Sequence, residues 1–92
     1  MGLRAMLDGH HAEPVETPYT DPEDAAADVL ETAFNECAET DRGTAYVEDE
    51  DGTVRVFDVE VEMVPSVEAT ELDRAPPDAV VHAFASTRRG GA

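Results

Sequence analysis

The chain has 92 residues, and 22 acidic residues against six basic ones give it a formal net charge of −16. This charge repels nucleic acid and anionic lipid, because phosphate binding normally requires clustered lysine or arginine. There is no apolar run near the ~18 residues of a membrane span, no signal-peptide core, and only one cysteine. We therefore expect one small soluble cytoplasmic domain, residues 1–92, that binds neither nucleic acid nor membrane.

The first elements are weakly determined by the pattern. MGLRAML (residues 1–7) is short and apolar, so periodicity does not separate a strand from a turn of helix. DGHHAEPVETPYT follows, with a turn signal at Asp8-Gly9 and with Pro14 and Pro18, which restrict it to a loop or an irregular edge strand. Strand and loop both stay open for residues 1–18.

The best-defined element is an amphipathic helix that begins after Asp21. Asp21 suits the N-cap and Pro22 the first helical position, and acidic residues follow where the helix dipole favours them. Apolar residues recur on one face at helical spacing, namely Ala26, Val29, Leu30, Ala33, Phe34 and Cys37. The helix is predicted to run for roughly five turns and to stop near Gly43, with Cys37 as an inert core thiol.

Residues 43–64 have the pattern of a β-hairpin. Asp51-Gly52 is a strong signal for a two-residue turn, which places Glu48 opposite Arg55. Over residues 57–63, apolar side chains alternate with acidic ones, as expected for a sheet with one buried and one solvated face.

Val54 and Val56 interrupt this alternation, because they fall on the acidic face of the same strand. A bulge, or a partner that covers this end of the strand, would account for them. We therefore take Val54 and Val56 as candidate interaction residues for a protein partner.

Residues 65–78 are polar and rich in turn formers, with a helical turn begun by Ser66 as one interpretation. AVVHAFAST (79–87) is apolar in both alternating registers, which is typical of a central strand; a short helix capped by Asp78 is the alternative. The element order predicts an α+β fold, with one amphipathic helix packed on a small, mainly antiparallel sheet in a two-layer sandwich. Residues 87–92 are expected to form a flexible tail.

The histidines are the candidate metal ligands. His10 and His11 are adjacent, with His82 as a third imidazole, and imidazole is a good ligand for zinc and related metals. There is no second cysteine, and the spacing matches no zinc motif. A weak transition-metal site at His10 and His11 is therefore the hypothesis.

The acidic stretch EDEDG (48–52) has the composition of a calcium loop but not its spacing. With Gly52 at position 6 of an EF-hand, position 1 is Val47 and position 12 is Asp58 instead of a bidentate glutamate. We expect no cofactor, only loosely held cations in high salt. No nucleophile, phosphate-loop or metalloprotease motif is present, so no catalytic residue is predicted.

The tail Arg88-Arg89-Gly90-Gly91 resembles the C-terminus of ubiquitin-like modifiers and their sulfur-carrier relatives. In those β-grasp proteins, an extended Gly-Gly carboxylate is adenylated by an activating enzyme. The resemblance implies Gly91 as the interaction residue after removal of Ala92, with a strand leading into the tail.

The absence of lysine and the abundance of alanine and valine resemble the composition of proteins from salt-in halophiles, above all haloarchaea. At about 1 M salt the Debye length is roughly 3 Å, so repulsion among carboxylates is largely screened. The core inventory is thin, with neither tryptophan nor isoleucine, which favours a homodimer.

The resulting hypothesis is a salt-adapted, non-catalytic binding or regulatory module that acts as a homo-oligomer. The alternatives are a modifier or sulfur carrier that uses Gly91 and a weak transition-metal-binding protein.

Overall fold

The computed structural model describes residues 2–11, 13–63 and 66–87. The elements in chain order are β1 (Arg4–Leu7), β2 (Val15–Glu16), α1 (Pro22–Glu36), β3 (Arg42–Glu48), β4 (Val54–Met63), β5 (Ser66–Leu72) and α2 (Asp78–Ser86). The strands form one antiparallel sheet in the order β2-β1-β3-β4-β5, with α1 packed against one face. The predicted α+β class, a helix on an antiparallel sheet, is confirmed. Neither helix among the described residues is long and apolar enough to cross a membrane.

Two strands form near the N-terminus, where the sequence left strand and loop both open. β1 pairs with both β2 and β3, and β2 has only two residues, Val15 and Glu16, between Pro14 and Pro18. Prolines and short length both limit pairing at a sheet edge. This edge of the sheet is therefore poorly suited to binding another strand.

Helix α1 begins where the sequence predicts. The Asp21 side chain accepts a hydrogen bond of 3.0 Å from the Glu23 backbone N–H, and Pro22 lies in the first turn. The helix ends at Glu36, after about four turns, because Cys37 is extended with φ −147°. Cys37 is exposed at the C-cap, so its predicted place in the core is wrong.

The core beneath α1 is built from small and medium side chains around Phe57, which is fully buried. Alanines on both sides of the contact let the helix lie close to the sheet. The buried members are Leu3, Ala5, Leu7, Ala25, Ala26, Val29, Leu30, Ala33, Ala45, Val47, Phe57 and Val59.

The β3–β4 hairpin forms, but its register differs by one residue from the prediction. Glu48 pairs with Val54 and Val47 with Arg55, because residues 49–53 make a five-residue loop instead of a two-residue turn. The predicted pair of Glu48 with Arg55 is therefore wrong, and each side chain finds a different partner.

Carboxylates of the acidic loop stabilise the turn itself. Asp49 accepts a hydrogen bond of 2.8 Å from the Arg55 Nε–H, and Asp51 accepts one of 2.9 Å from the Thr53 backbone N–H. Hydrogen bonds from Thr53 lower the pKa of Asp51. Gly52 has φ +89°, a conformation that glycine adopts without strain.

Residues 66–72 form β5 along the free side of β4, so the polar connection predicted there is wrong. Val67 and Ala69 point toward the α1 side and pack against the core, while Glu68 and Thr70 face the other way. Apolar and polar residues do alternate in this short stretch, but the turn-forming residues on both sides of it favoured the interpretation as a loop.

Residues 78–86 form helix α2, so the predicted final strand is wrong and the alternative of a short helix is correct. Val80 and Phe84, four residues apart, are buried on one face, whereas Val81 and His82 are exposed. Pro77 starts the helix by accepting N–H groups with its carbonyl oxygen.

Helix α2 lies on the face of the sheet opposite α1 and covers the part of that face formed by Met6, Tyr46 and Val56. A second apolar cluster forms there, from Met6, Tyr46, Val56, Val80 and Phe84, with Val54 and Leu72 packed against it. Val54 and Val56 therefore interrupt the acidic pattern of β4 because the chain's own second helix covers that end.

Arg4 links α2 to the sheet through hydrogen bonds and an ion pair. Its guanidinium binds Glu48 Oε1 through Nε (3.0 Å) and Nη2 (2.9 Å), the Phe84 carbonyl through Nη2 (2.8 Å) and Thr87 Oγ1 through Nη1 (2.7 Å). The Cζ atom also lies 5.5 Å from the centroid of the Phe84 ring. One side chain thus joins β1, β3 and the end of α2.

Replacing Arg4 with glutamine is expected to lower the free energy of unfolding by about 2–3 kcal/mol, because the half-buried Glu48 loses two charge-assisted hydrogen bonds and the Phe84 carbonyl at the helix end loses its bond to the guanidinium. Arg42→Gln is the matched control: it makes the same charge change but breaks the exposed Arg42–Glu60 pair, where side-chain exposures are 73% and 49% against 18% and 12% for Arg4–Glu48. We expect it to cost less than about 1 kcal/mol. Equal losses in chemical denaturation would contradict the assignment.

Candidate functional site

A gap in the strand pairing lies where β5 ends. The last pair of β4 with β5 at this end is Val56 with Leu72, although β4 begins two residues earlier at Val54. From Leu72 the chain leaves the sheet and crosses to α2 through residues 73–77, which include Pro76 and Pro77. Proline fixes φ and favours an extended residue before it, so this crossing segment is stiff.

The gap opens into two adjoining spaces. A groove of about 730 Å³ is lined by residues 53–56 and 71–76, and we call it the β4 groove. A cavity of about 300 Å³, here the Tyr46 cavity, is lined by Tyr46, Val56, Arg74, Ala75 and Pro77. Both are lined by Val56, Arg74 and Ala75, so they form one continuous candidate site.

Arg74 supplies an uncommitted positive charge at this site. Of the four arginines in the described part of the chain, Arg4, Arg42 and Arg55 form salt bridges, and Arg74 forms none there. A guanidinium carries several donors in a planar array that matches a carboxylate. Arg74 is exposed to solvent, so its guanidinium is accessible to a ligand.

Tyr46 supplies a second donor. The residue as a whole is only 5% exposed, but its hydroxyl reaches solvent and bonds to no other described residue. Burial raises the pKa of the Tyr46 phenol, the Asp8 carboxylate raises it further, and the Arg74 guanidinium partly opposes both. The phenol is therefore protonated at neutral pH and able to donate to an anion.

The backbone of Val54 also lies at the site. The Asp49 N–H donates to the Thr53 carbonyl, and the Val61 N–H donates to the Asp41 carbonyl. The backbone groups of odd-numbered residues of β4 therefore point toward β3, and those of even-numbered residues point toward β5. The N–H and C=O groups of Val54 accordingly point to the side where β5 has already ended.

The other charges around the groove are mainly negative, because one guanidinium, that of Arg55, stands among the carboxylates of Asp49, Glu71 and Asp73. Arg55 is held by Asp49 on one side and by Glu71 at 2.9 Å on the other, and Asp73 also lines the groove. Arg74 is the basic group of this lining that forms no salt bridge within the described part of the chain.

The predicted interaction residues have different surroundings. Val56 is 1% exposed beneath α2, whereas Val54 is half-buried and lines the β4 groove. Gly91 lies outside the described residues. It follows a segment in which α2, and not the expected strand, is the last element described.

The structure brings His10 and His11 together beside the end of α1. Their ring centroids lie 4.8 Å apart in an edge-on arrangement, and His10 Nε2 is 2.8 Å from Glu36 Oε1. His11 Nδ1 accepts a hydrogen bond of 3.0 Å from the Leu7 backbone N–H, so that nitrogen carries no proton. His82 lies exposed on α2.

No set of three or more histidine, cysteine or acidic side chains within residues 2–11, 13–63 and 66–87 is arranged to hold a metal ion. Metal binding by His10 and His11 stays a prediction.

The uncovered part of the α2-side face is acidic. Asp58, Glu60, Glu62 and Glu68 lie there, and a hydrogen bond and repulsion from Glu62 raise the pKa of Glu68. This part of the face is therefore negatively charged and repels anions.

Tyr46 and Arg74 did not stand out in the sequence as binding residues. Arg74 has an indirect signal, since Ala75-Pro76-Pro77 predicts a stiff connection next to it. Its lack of a partner is a tertiary property that no local pattern encodes.

No protein-family model, curated protein or solved structure matches this chain.

The stability of the fold should depend on the protonation of His11. Burial lowers the pKa of His11 below 6.5, His10 lowers it further, and Glu36 opposes them. At a pH between the lowered pKa of the folded state and the unfolded value of 6.5, the unfolded chain binds more protons at His11 than the folded chain does. The contribution of His11 to the free energy of unfolding is therefore fully present above pH 6.5 and is lost as the pH falls through the folded-state pKa.

The variant His11→Asn would test this pH dependence, because asparagine retains an acceptor for the Leu7 N–H but does not titrate. Chemical denaturation between about pH 7.5 and about pH 5 should show a larger loss of stability for the original protein than for the variant. Parallel losses would show that His11 is not responsible, because carboxylate titration is common to both proteins.

Proposed function

We propose that this protein is a non-catalytic binding module that holds a small organic anion in the β4 groove and the Tyr46 cavity. The carrying observation is an arginine without an ion-pair partner in the described chain, next to a tyrosine whose ring is buried and whose hydroxyl is left open to a ligand or to water. Preformed concave sites with an apolar lining and a few convergent polar groups are the usual form of ligand sites.

The lining suits an amphiphilic anion. Val54, Val56 and Leu72 provide apolar surface, and Arg74 and Tyr46 provide donors at one end. A guanidinium stays charged at any physiological pH, and this phenol has a raised pKa, so both groups bind an anion without exchanging a proton with it. These properties support binding over turnover.

Salt adaptation forms part of the same proposal. An anionic ligand approaches a molecule of net charge −16 against long-range repulsion. At about 1 M salt that repulsion is screened, while a contact ion pair inside a groove is screened much less.

Hexanoate should bind and hexanol should bind at least about tenfold more weakly, since a charge-assisted hydrogen bond contributes about 1.5–3 kcal/mol. Amide shifts of Val54, Leu72 and Arg74 in an NMR titration report the site. Arg74→Gln should weaken hexanoate binding by a similar factor, and Arg42→Gln, with the same charge change, should not. Equal binding of the alcohol, or equal sensitivity to both variants, would refute the proposal.

A homodimer through β5 is a second element of the proposal. The β4–β5 register turns the backbone groups of residues 68, 70 and 72 toward β4, so those of Val67, Ala69 and Glu71 face outward. This edge is seven residues long, against two residues for β2 at the other edge, and it contains neither proline nor lysine. Such edges are templates for pairing with another strand.

Ala69→Pro is expected to convert a dimer into a folded monomer, because it removes an outward N–H and leaves the bonds to β4 in place. Ala69→Ser keeps the N–H and serves as the control. Sedimentation equilibrium in about 1 M KCl, where repulsion between copies is screened, gives the mass. A monomeric original protein, or a dimeric Ala69→Pro protein, would exclude this interface.

A further inference from the structure

We infer that the ligand of the β4 groove is the end of an extended peptide chain, with a free C-terminal carboxylate on Arg74 and Tyr46. This inference rests on the anion-binding function proposed above and specifies its ligand. It draws on three independent features of the groove: an open strand edge, an apolar floor and a single uncommitted positive charge.

The open edge calls for a peptide backbone. Val54 presents one N–H and one C=O toward the space that β5 leaves at Leu72, and one residue of an extended chain offers the complementary pair. A fatty acid would leave both groups to water. Addition of a strand to an exposed edge is a common mode of peptide recognition.

The length of the edge limits what is recognised. β4 extends beyond its last pair with β5 only over Val54 and Arg55, so the ladder has room for one further pairing. The groove of about 730 Å³ is accordingly suited to the last few residues of a chain, and it adjoins the Tyr46 cavity.

The apolar floor of the groove, formed by Val54 and Leu72, favours a ligand with an apolar side chain at the residue that pairs with Val54. Val54 and Leu72 lie on the α2 side of the sheet, and Pro76 stands at the rim. A peptide residue paired with Val54 directs its side chain to one face of the sheet, as strand residues do. An aliphatic residue at this position would contact all three.

The charges favour a carboxylate over a phosphate. Arg74 and the Tyr46 hydroxyl suffice for one negative charge, and Glu71 and Asp73 line the same groove. A second negative charge on the ligand would meet these carboxylates and the general field of the protein without a further cation to balance it.

The decisive comparison is between N-acetyl-Ala-Val-Leu with a free carboxylate and the same peptide with a C-terminal amide. In about 1 M KCl the acid is expected to bind at least about tenfold more tightly. Arg74→Gln should bring the affinity of the acid down to that of the amide, and Arg42→Gln should preserve the difference. The dispersion of amide resonances verifies that both variants are folded.

Peptides methylated at each backbone nitrogen in turn test the ladder pairing. Methylation at one position should lower the affinity about tenfold, as expected when the hydrogen bond to the Val54 carbonyl is removed. The others should bind as the parent does.

Three outcomes would overturn the inference. If hexanoate binds in the groove but acid and amide peptides bind equally, the peptide assignment fails and the anion-binding function stands. The same holds if every methylated peptide binds like the parent. If neither hexanoate nor peptide perturbs Val54, Leu72 or Arg74, both the ligand class and the proposed function fail.

Discussion

The guanidinium of Arg4 is the contact on which the second face of the sheet depends. Helix α2 has nine residues, too few for a helix to be stable alone in water. Arg4 binds its last turn through the Phe84 carbonyl, where a cation also complements the helix dipole, and binds Glu48 on β3. The position of α2 in turn determines where residues 73–77 cross the sheet. The groove, its stiff wall and the burial of Tyr46 all follow from that path.

Charge distribution explains why one arginine matters in so acidic a chain. Arg55 joins the β3–β4 loop to β5, and Arg4 joins two strands to a helix, so these guanidiniums stabilise the fold. Arg74 follows Asp73 in sequence, yet it forms no ion pair within the described chain. Pro76 and Pro77 restrict the backbone of the segment that carries it.

The sequence predicted the elements whose signals are local. Asp21 and Pro22 marked the start of α1, and the alternation after Phe57 marked β4, because caps and period-two patterns depend on neighbouring residues. The hairpin register and α2 were not predicted correctly. Asp51-Gly52 is compatible with several loop lengths, and an apolar run such as residues 79–85 fits a strand or a buried helix equally well. The candidate site was missed for a related reason, since it consists of missing partners, which only tertiary structure reveals.

β4 connects these observations, because one strand passes through three environments. Phe57 and Val59 contact α1, Val56 lies beneath α2, and Asp58 and Glu60 face solvent. Its first residue, Val54, is the one left without a neighbour toward β5. A strand that is fully paired and covered along its length offers no binding edge, and one that is uncovered throughout invites unselective pairing. In β4 the open edge is confined to one short segment beside Val54, Leu72 and Arg74, and under the proposed function this short length is what would limit pairing to the end of a chain.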